Sequence, residues 1–328
     1  MSWFSKDAPH RHWPRYGSLE GDIEARAAER LDRLERLYHK GQDHVWDGRE
    51  VLDGLIEKHG RPVLPDDKKE AALHILSILL WGELAAWAIS ADLAERIEDV
   101  EAKMAATSQA HDEARHFYVL RDYLRAVGEP VPRLGGSGRS LLIGILETDS
   151  LVHKLVGMQL MVESNALAIF KAVAEAEVEP VLTELLPYYE RDEARHVGLG
   201  VMYLPRLLGQ LNRRELAGVA AFQLRCFGLL LSAGLPMRHH WSALGIEPRK
   251  MAARTVKLQE EIRSQMRDVY GESHDGRMGG ILAPGHGIGP KVLDFVHPPN
   301  GLESAPPVNR AIIGAWTRGA QWANAALA

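Results

Sequence analysis

The sequence predicts an all-α protein built around a four-helix bundle. Three observations carry that expectation. Between Gly21 and Pro236 apolar residues recur at three- and four-residue spacing. Ala, Leu, Glu and Arg are abundant there, while alternating strand-like runs are scarce. The pentapeptide DEARH stands twice in segments of this kind, at residues 112–116 and 192–196.

Taken in order, a first amphipathic segment covers residues 22–58 with an interruption near Gly41, and the RPVLPDD stretch at 61–67 separates it from the bundle. Four core helices are expected at 67–96, 98–127, 140–178 and 180–208, punctuated by glycine and proline. The VGEPVPRLGGSG stretch at 127–138 serves as the crossover between two helical hairpins. Further helices are expected at 213–233 and 248–269. Beyond Gly271 the chain turns rich in Gly, Pro and His, which suggests an irregular wrap closed by a short helix at 309–328. The organisation expected is an N-terminal helical extension at 1–60, the bundle at 61–210, and C-terminal helices with an irregular tail at 211–328, packed on the bundle as one domain.

Composition narrows the classes of function. Of 328 residues, 46% are hydrophobic, 25% charged and 7% aromatic, enough apolar material for a large core. The formal charge of −5 has no concentrated block of either sign, which argues against nucleic acid or an anionic membrane as partner. Small molecules are the expected partners. The lone Cys226 excludes an intramolecular disulfide and a Cys₄ iron–sulfur or iron site within the chain, and fits a reduced compartment. The opening MSWFSKDAPHRHWPRYG carries charges where an export signal would be apolar. The most apolar stretches, 75–90 and 217–235, are interrupted by Glu83 and by Gln223 and Arg225, so a soluble, cytoplasmic protein is expected.

The chemistry lies in a repeat. The offset of 80 residues between the two DEARH motifs also joins Glu83 to Glu163, each glutamate lying in an otherwise apolar stretch (LLWGELAAWAI and QLMVESNALAI). Each hairpin thus contributes one lone Glu and, 30 residues later, one Glu-x-x-His. Glu and His at i and i+3 share a helix face, where a Glu from the partner helix can meet them. Glu83, Glu113, His116, Glu163, Glu193 and His196 together offer four carboxylates and two imidazoles, a hard donor set suited to two iron or manganese ions and unlike a thiolate zinc site. Without cations, four buried carboxylates repel one another or take up protons. A metal-free bundle using these residues as a buried polar network is the competing reading.

The six residues reproduce the ligand pattern of the ferritin-like di-iron carboxylate superfamily, which the region 67–208 resembles. The paired D-E-x-R-H form is most similar to the oxygen-activating branch, which includes ribonucleotide reductase small subunits, monooxygenase hydroxylases, desaturases and related oxidases. The resemblance implies that Asp112 and Asp192 accept hydrogen bonds from ligand histidines, with Arg115 and Arg195 as their charge partners. It implies a non-haem di-iron oxidoreductase (Fe/Fe, with Mn/Fe as a variant) that activates O₂ to oxidise a small, largely apolar organic substrate. Such an enzyme takes electrons from a separate donor and assembles as a homodimer. The alternative from another class is an iron-oxidising storage protein of the ferritin type.

Departures from individual families limit the assignment. Leu120 stands where the reductase small subunits carry a radical tyrosine, four residues after the first ligand histidine. Met158 stands where the related ligand-binding oxidases carry a crosslinked tyrosine. Ser164, Ala166 and Leu167 stand near the third glutamate where hydroxylases and desaturases have a threonine, and Tyr189 replaces the extra histidine of the aryl-amine oxygenases.

By helical register Gln109, Gln159 and Tyr189 lie four residues before ligand glutamates, placed either to meet substrate and oxygen or to serve as hydrogen-bonded core. Leu79, Trp87, Leu120, Leu167 and Phe170 occupy similar faces and are expected to border an apolar cavity, or simply to pack. Gly198 and Gly200 suggest close helix approach or ligand space, and Pro187 a kink. His239 and His240, adjacent and with no carboxylate nearby in sequence, read as surface residues, and His274, His286 and His297 are unassigned.

Overall fold

The structure, a computed structural model, describes residues 28–270 and 288–326. The expectations for the N-terminal leader and for His274 and His286 lie outside the described residues. Among those residues there is no strand. The helices are α1 (Ala28–Asp43), α2 (Gly48–His59), α3 (Lys69–Arg96), α4 (Val100–Val127), α5 (Gly136–Leu146), α6 (Leu151–Leu155), α7 (Glu163–Glu175), α8 (Pro180–Leu208), α9 (Arg213–Gly234), α10 (Arg238–Ala243), α11 (Pro248–Tyr270), α12 (Ile288–Val296) and α13 (Pro307–Ala326). A π-helical segment, Val156–Val162, joins α6 to α7.

Two hairpins form the bundle, α3 with α4 and the π–α7 segment with α8, and α4 packs on α8 between them. α1 and α2 lie across α4 and α8, α11 covers α7 and α8, α10 docks on α3, and α5, α9 and α13 pack together. The connection at residues 128–135 starts at Gly128, whose φ of 82° ends α4 in a left-handed turn that a side chain would strain. Pro180 opens α8, while the Glu179 carboxylate caps it through the amides of Val181 and Leu182 and accepts the Tyr123 hydroxyl at 3.0 Å.

The third core helix departs from the expected continuous 140–178. It begins at Gly136 and breaks at residues 147–150, where Ser150 caps a new helix by accepting the His153 amide at 3.2 Å. The buried Lys154 closes the gap by donating to the Leu146 carbonyl at 2.8 Å and pairing with Asp92 at 3.2 Å. The first segment breaks later than expected, between Asp43 and Gly48, where Asp47 caps α2. Gly41 lies inside α1 because α1 passes so close to α4 that a β-carbon there would sit 2.4 Å from Ser108 Oγ. The terminal helix starts at Pro307, two residues earlier than expected, and Ile288–Val296 forms a helix where irregular chain was expected.

Two apolar clusters fill the bundle. One takes residues such as Ile89, Ala106, Met158 and Leu204, the other Leu76, Tyr123, Phe170 and Leu185. Along every core helix Glu83, the 109–116 turns, the 159–164 turns and the 192–196 turn fall between residues of the first cluster and residues of the second. A polar layer is thus closed off from water above and below. α3 and α9 are each long and apolar enough to cross a membrane by length and composition; more than half of the apolar window of α3 is buried in the bundle, and α9 is largely half-buried or exposed.

Candidate metal centre

The helical repeat delivers six side chains to that layer. On α3 the buried seam runs Ala72, Leu76, Leu79, Glu83, Ala86, Ser90, Leu93 at three- and four-residue steps, which carries Glu83 inward. α4 brings Glu113 and His116, the start of α7 brings Glu163, and α8 brings Glu193 and His196; all six are buried. Their ligand atoms fall into two overlapping groups, each with atoms within 4.8 Å of one another: Glu83, Glu113, His116 and Glu193, and Glu113, Glu163, Glu193 and His196. Glu113 and Glu193 belong to both, so the layer offers two adjacent sites with two shared carboxylates.

Both imidazoles present Nδ1 to the glutamates. His116 Nδ1 lies 3.2 Å from Glu83, 3.2 Å from Glu193 and 3.6 Å from Glu113, while His196 Nδ1 lies 2.9 Å from Glu113 and 3.1 Å from Glu193. One N–H cannot serve three carboxylates, and Glu113 Oε2 and Glu193 Oε1 are left buried without a hydrogen bond.

Protonation follows from this crowding. Burial pushes the Glu83 and Glu163 carboxyls well up, and the neighbouring glutamates add to the effect. Burial alone would lower His116 and His196, but the surrounding carboxylates outweigh it and raise both. Against burial, the two imidazoles hold Glu113 and Glu193 low. These shifts favour protons on Glu83, Glu163, His116 and His196, where they balance the charge of the layer. Two divalent ions in place of four protons leave the same net charge, so the donor set fits a metal pair in charge as well as in donor type.

Beneath the glutamates the two motifs are cross-linked. His116 Nε2 donates to Asp192 Oδ2 at 3.1 Å and His196 Nε2 to Asp112 Oδ2 at 3.4 Å, each motif's aspartate serving the other motif's histidine. Arg115 pairs with Asp112 and, at 2.9 Å, with Asp192; Arg195 pairs with Asp112 at 2.8 Å and Asp192 at 2.9 Å. Asp192 and Asp112 are held below the usual carboxylate range: burial opposes this, and the histidines outweigh it.

Trp46, just before α2, also donates its indole N–H to Asp192 Oδ2 at 2.8 Å and lies under the Arg115 guanidinium at 4.8 Å. Nothing in the sequence marks this contact, because it is made by a residue 146 positions away in a segment outside the bundle.

The remaining polar candidates are placed as follows. Gln109 Nε2 donates to Glu113 at 3.1 Å and Glu163 at 2.9 Å, and its carbonyl oxygen accepts from Gln159 Nε2 at 3.2 Å. Tyr189 is fully buried, stacks on the His116 ring at 4.4 Å and donates its hydroxyl to the His116 main-chain carbonyl at 2.8 Å. Ser164 donates to the Leu160 carbonyl at 2.6 Å and is contacted by Gln259 from α11.

Among the apolar candidates Leu79, Leu120 and Phe170 are filled core and Leu167 is half-buried. Trp87 turns outward, 40% exposed, because the α3 seam continues from Glu83 through Ala86 rather than through position 87. Among the described residues a cleft beside His196 opens elsewhere, between α1, α4 and α8. It is lined by Leu37, Ala105, Ser108, Gln109, Asp112, Arg195, His196 and Leu199 and has a volume of about 10 Å³, roughly the space one water needs. Gln109 is the one expected pocket residue that borders it. Gly200 is explained by close approach, since a β-carbon there would meet Gln159 Cβ at 2.8 Å.

No protein-family model and no curated protein matches the sequence. Solved structures do. A variant of an R2-like ligand-binding oxidase with an anaerobically reconstituted Mn/Fe cofactor matches at a TM-score of 0.54 and 18% identity, over 71% of this chain and 92% of that one. A second variant, with an aerobically reconstituted Mn/Fe cofactor, matches at a TM-score of 0.52 and 16% identity, over 72% and 93%. The chain has the ferritin-like fold of these R2-like oxidases. Even against that ferritin-like background Met158 is a buried core residue.

One surface assignment is corrected. His240 is only 6% exposed and stacks on His74 of α3 with centroids 4.3 Å apart, and burial, with His239 and His74 adding, pushes its pKa down to about 4. Sequence position suggested no carboxylate nearby, but folding brings Glu70 beside it.

Proposed function

We propose that the chain is an O₂-dependent oxidoreductase whose cofactor is a pair of metal ions, Fe/Fe or Mn/Fe, held in the layer between the two apolar clusters. The observation that carries this reading is the pair of overlapping ligand groups sharing Glu113 and Glu193. Glu83 and His116 complete one position, Glu163 and His196 the other. The bound ions supply the redox chemistry toward O₂. The Mn/Fe cofactors of the R2-like oxidases of the same fold support the assignment of metal.

The chain's own groups do the rest. Asp112 and Asp192 fix each imidazole with Nδ1 toward the glutamates, and Arg115 and Arg195 offset the aspartate charges. Gln109 holds Glu113 and Glu163 in place. Both apolar clusters keep water out, and the cleft beside His196, with room for about one water, is of a size to admit O₂ toward the layer, the substrate reading resting on the resemblance alone. Electrons for repeated turnover come from a separate donor or from the substrate, since the lone Cys226 leaves the sequence without a Cys₄ iron–sulfur centre of its own.

Oxygen uptake tests the reading. Protein loaded anaerobically with Fe(II) and then exposed to O₂ is expected to consume oxygen until the bound pair is oxidised and to resume on addition of a chemical reductant. Resumption on addition of excess Fe(II) alone, with iron accumulating far beyond two per chain, would favour iron storage instead.

A further inference from the structure

A second group of metal-type ligands lies outside the bundle core. α10 docks on the N-terminal half of α3, and there Glu70, His74 and His240 bring ligand atoms within 4.8 Å of one another. Glu70 and His74 are one turn apart on α3 and so share a face. His240 comes from a chain segment 166 residues later in sequence, at a point where the apolar residues Met237, Trp241 and Leu244 pin α10 against the core. None of the three takes part in the layer that holds Glu83 and His116.

The hydrogen bonding of His74 is that of an imidazole left free to ligate. His74 Nδ1 donates to the Glu70 carbonyl at 2.9 Å, which fixes the tautomer with its lone pair on Nε2. His240 is held against the bundle by its stack on His74, with its other ring neighbour His239 at 3.8 Å. A metal ion shared by the two imidazoles takes up the lone pair of each, the rings tilting out of their present stack so that both point at it. Glu70 is exposed and supplies the anionic donor from the solvent side. Tetrahedral coordination at bonds of about 2.0–2.2 Å asks the ligand atoms to close to roughly 3.3 Å, a movement shared by the exposed carboxylate and the two rings.

We propose that Glu70, His74 and His240 form a separate, solvent-facing site for one divalent transition ion of the zinc class, which clamps α10 to α3. Two imidazoles and one carboxylate with an open fourth position suit Zn²⁺, in contrast to the carboxylate-rich core layer. The consequence is mechanical: the ion ties the C-terminal helices to the bundle at the single place where α10 meets α3.

The test uses the full chain with its core layer already loaded with iron, dialysed against Zn²⁺. One additional zinc per chain is expected, together with slower amide exchange across residues 238–246. Glu70→Gln, at an exposed position, and His74→Ala are expected to weaken zinc binding at least tenfold and abolish the exchange protection, with iron content and far-UV circular dichroism unchanged. Failure of the iron-loaded protein to take up zinc overturns the proposal, and so does zinc bound equally by the parent and both variants.

Discussion

His116 of α4 and Asp192 of α8 are joined at 3.1 Å across the bundle, and His196 of α8 and Asp112 of α4 return the same bond at 3.4 Å. The repeated motif therefore acts as a pair: each histidine's Nε2 is held by the aspartate of the other helix. With Arg115 and Arg195 bridging both aspartates, α4 and α8 are locked in one register, and that register sets where the four glutamates meet.

Removing an aspartate's charge is expected to loosen metal binding. Asp192→Asn and Asp112→Asn should each lower affinity about 10 to 100-fold, because an amide is the poorer acceptor for an imidazole N–H. Asp192 has the shorter bond to histidine and also holds the Trp46 indole, so its substitution should cost more. Competition titration against a chelator checks the order; equal parent-like affinities would show that the aspartates have no part in holding the metals.

Shared and unshared carboxylates should behave differently. Glu113→Ala or Glu193→Ala removes a ligand from both groups and is expected to reduce metal content toward zero, whereas Glu83→Ala, confined to one group, should leave one ion. Helix content should persist in all three, since the two apolar clusters are untouched. Metal analysis beside circular dichroism decides.

The proton balance gives a pH dependence with a definite sign. Glu83 and Glu163, raised by burial, and His116 and His196, raised by their carboxylate neighbours, bind protons more tightly when folded. Their contribution is present below the unfolded-chain values and is lost as pH rises through the folded ones. Glu113, Glu193, Asp112 and Asp192 are shifted down, so their contribution is lost only on acidification below about pH 4. Metal-free protein should accordingly melt at a higher temperature near pH 5 than near pH 8. Metal loading should flatten the profile and release up to about four protons per chain into weak buffer. Metal-free protein that grows more stable toward pH 8 would contradict the assignment.

Gly200 is where α8 touches the π-helical segment. Gly200→Ala is expected to destabilise by about 1–3 kcal/mol, since its β-carbon meets Gln159 Cβ and Leu160, and to disturb the Gln159–Gln109–Glu163 chain. Gly228→Ala in α9, with nothing within 4 Å, should instead stabilise slightly through helix propensity. Thermal unfolding of the pair separates contact from propensity.

What could be read from the sequence was whatever repeats. The 80-residue offset and the three- and four-residue seams show the bundle and bring Glu83, Glu113, His116, Glu163, Glu193 and His196 to one layer. What could not be read depends on contacts between distant segments. Gly41 looks like a helix break but is a close approach to Ser108, and the true break at 147–150 is a polar run, Glu147 to Ser150, that reads equally as one exposed turn of a continuous helix. Trp46 reaches Asp192, and Glu70 reaches His240, across separations no local pattern encodes. Trp87 fell on the wrong side of α3 because an i+4 step and an i+3 step from Glu83 diverge at the edge of a narrow seam.

The most direct test is anomalous diffraction at the iron and manganese edges from crystals of the metal-loaded protein. Two peaks are expected, one among Glu83, Glu113, His116 and Glu193 and one among Glu113, Glu163, Glu193 and His196, with Glu113 and Glu193 touching both. A loaded protein whose metal lies elsewhere, or a layer that holds no metal, would contradict the assignment.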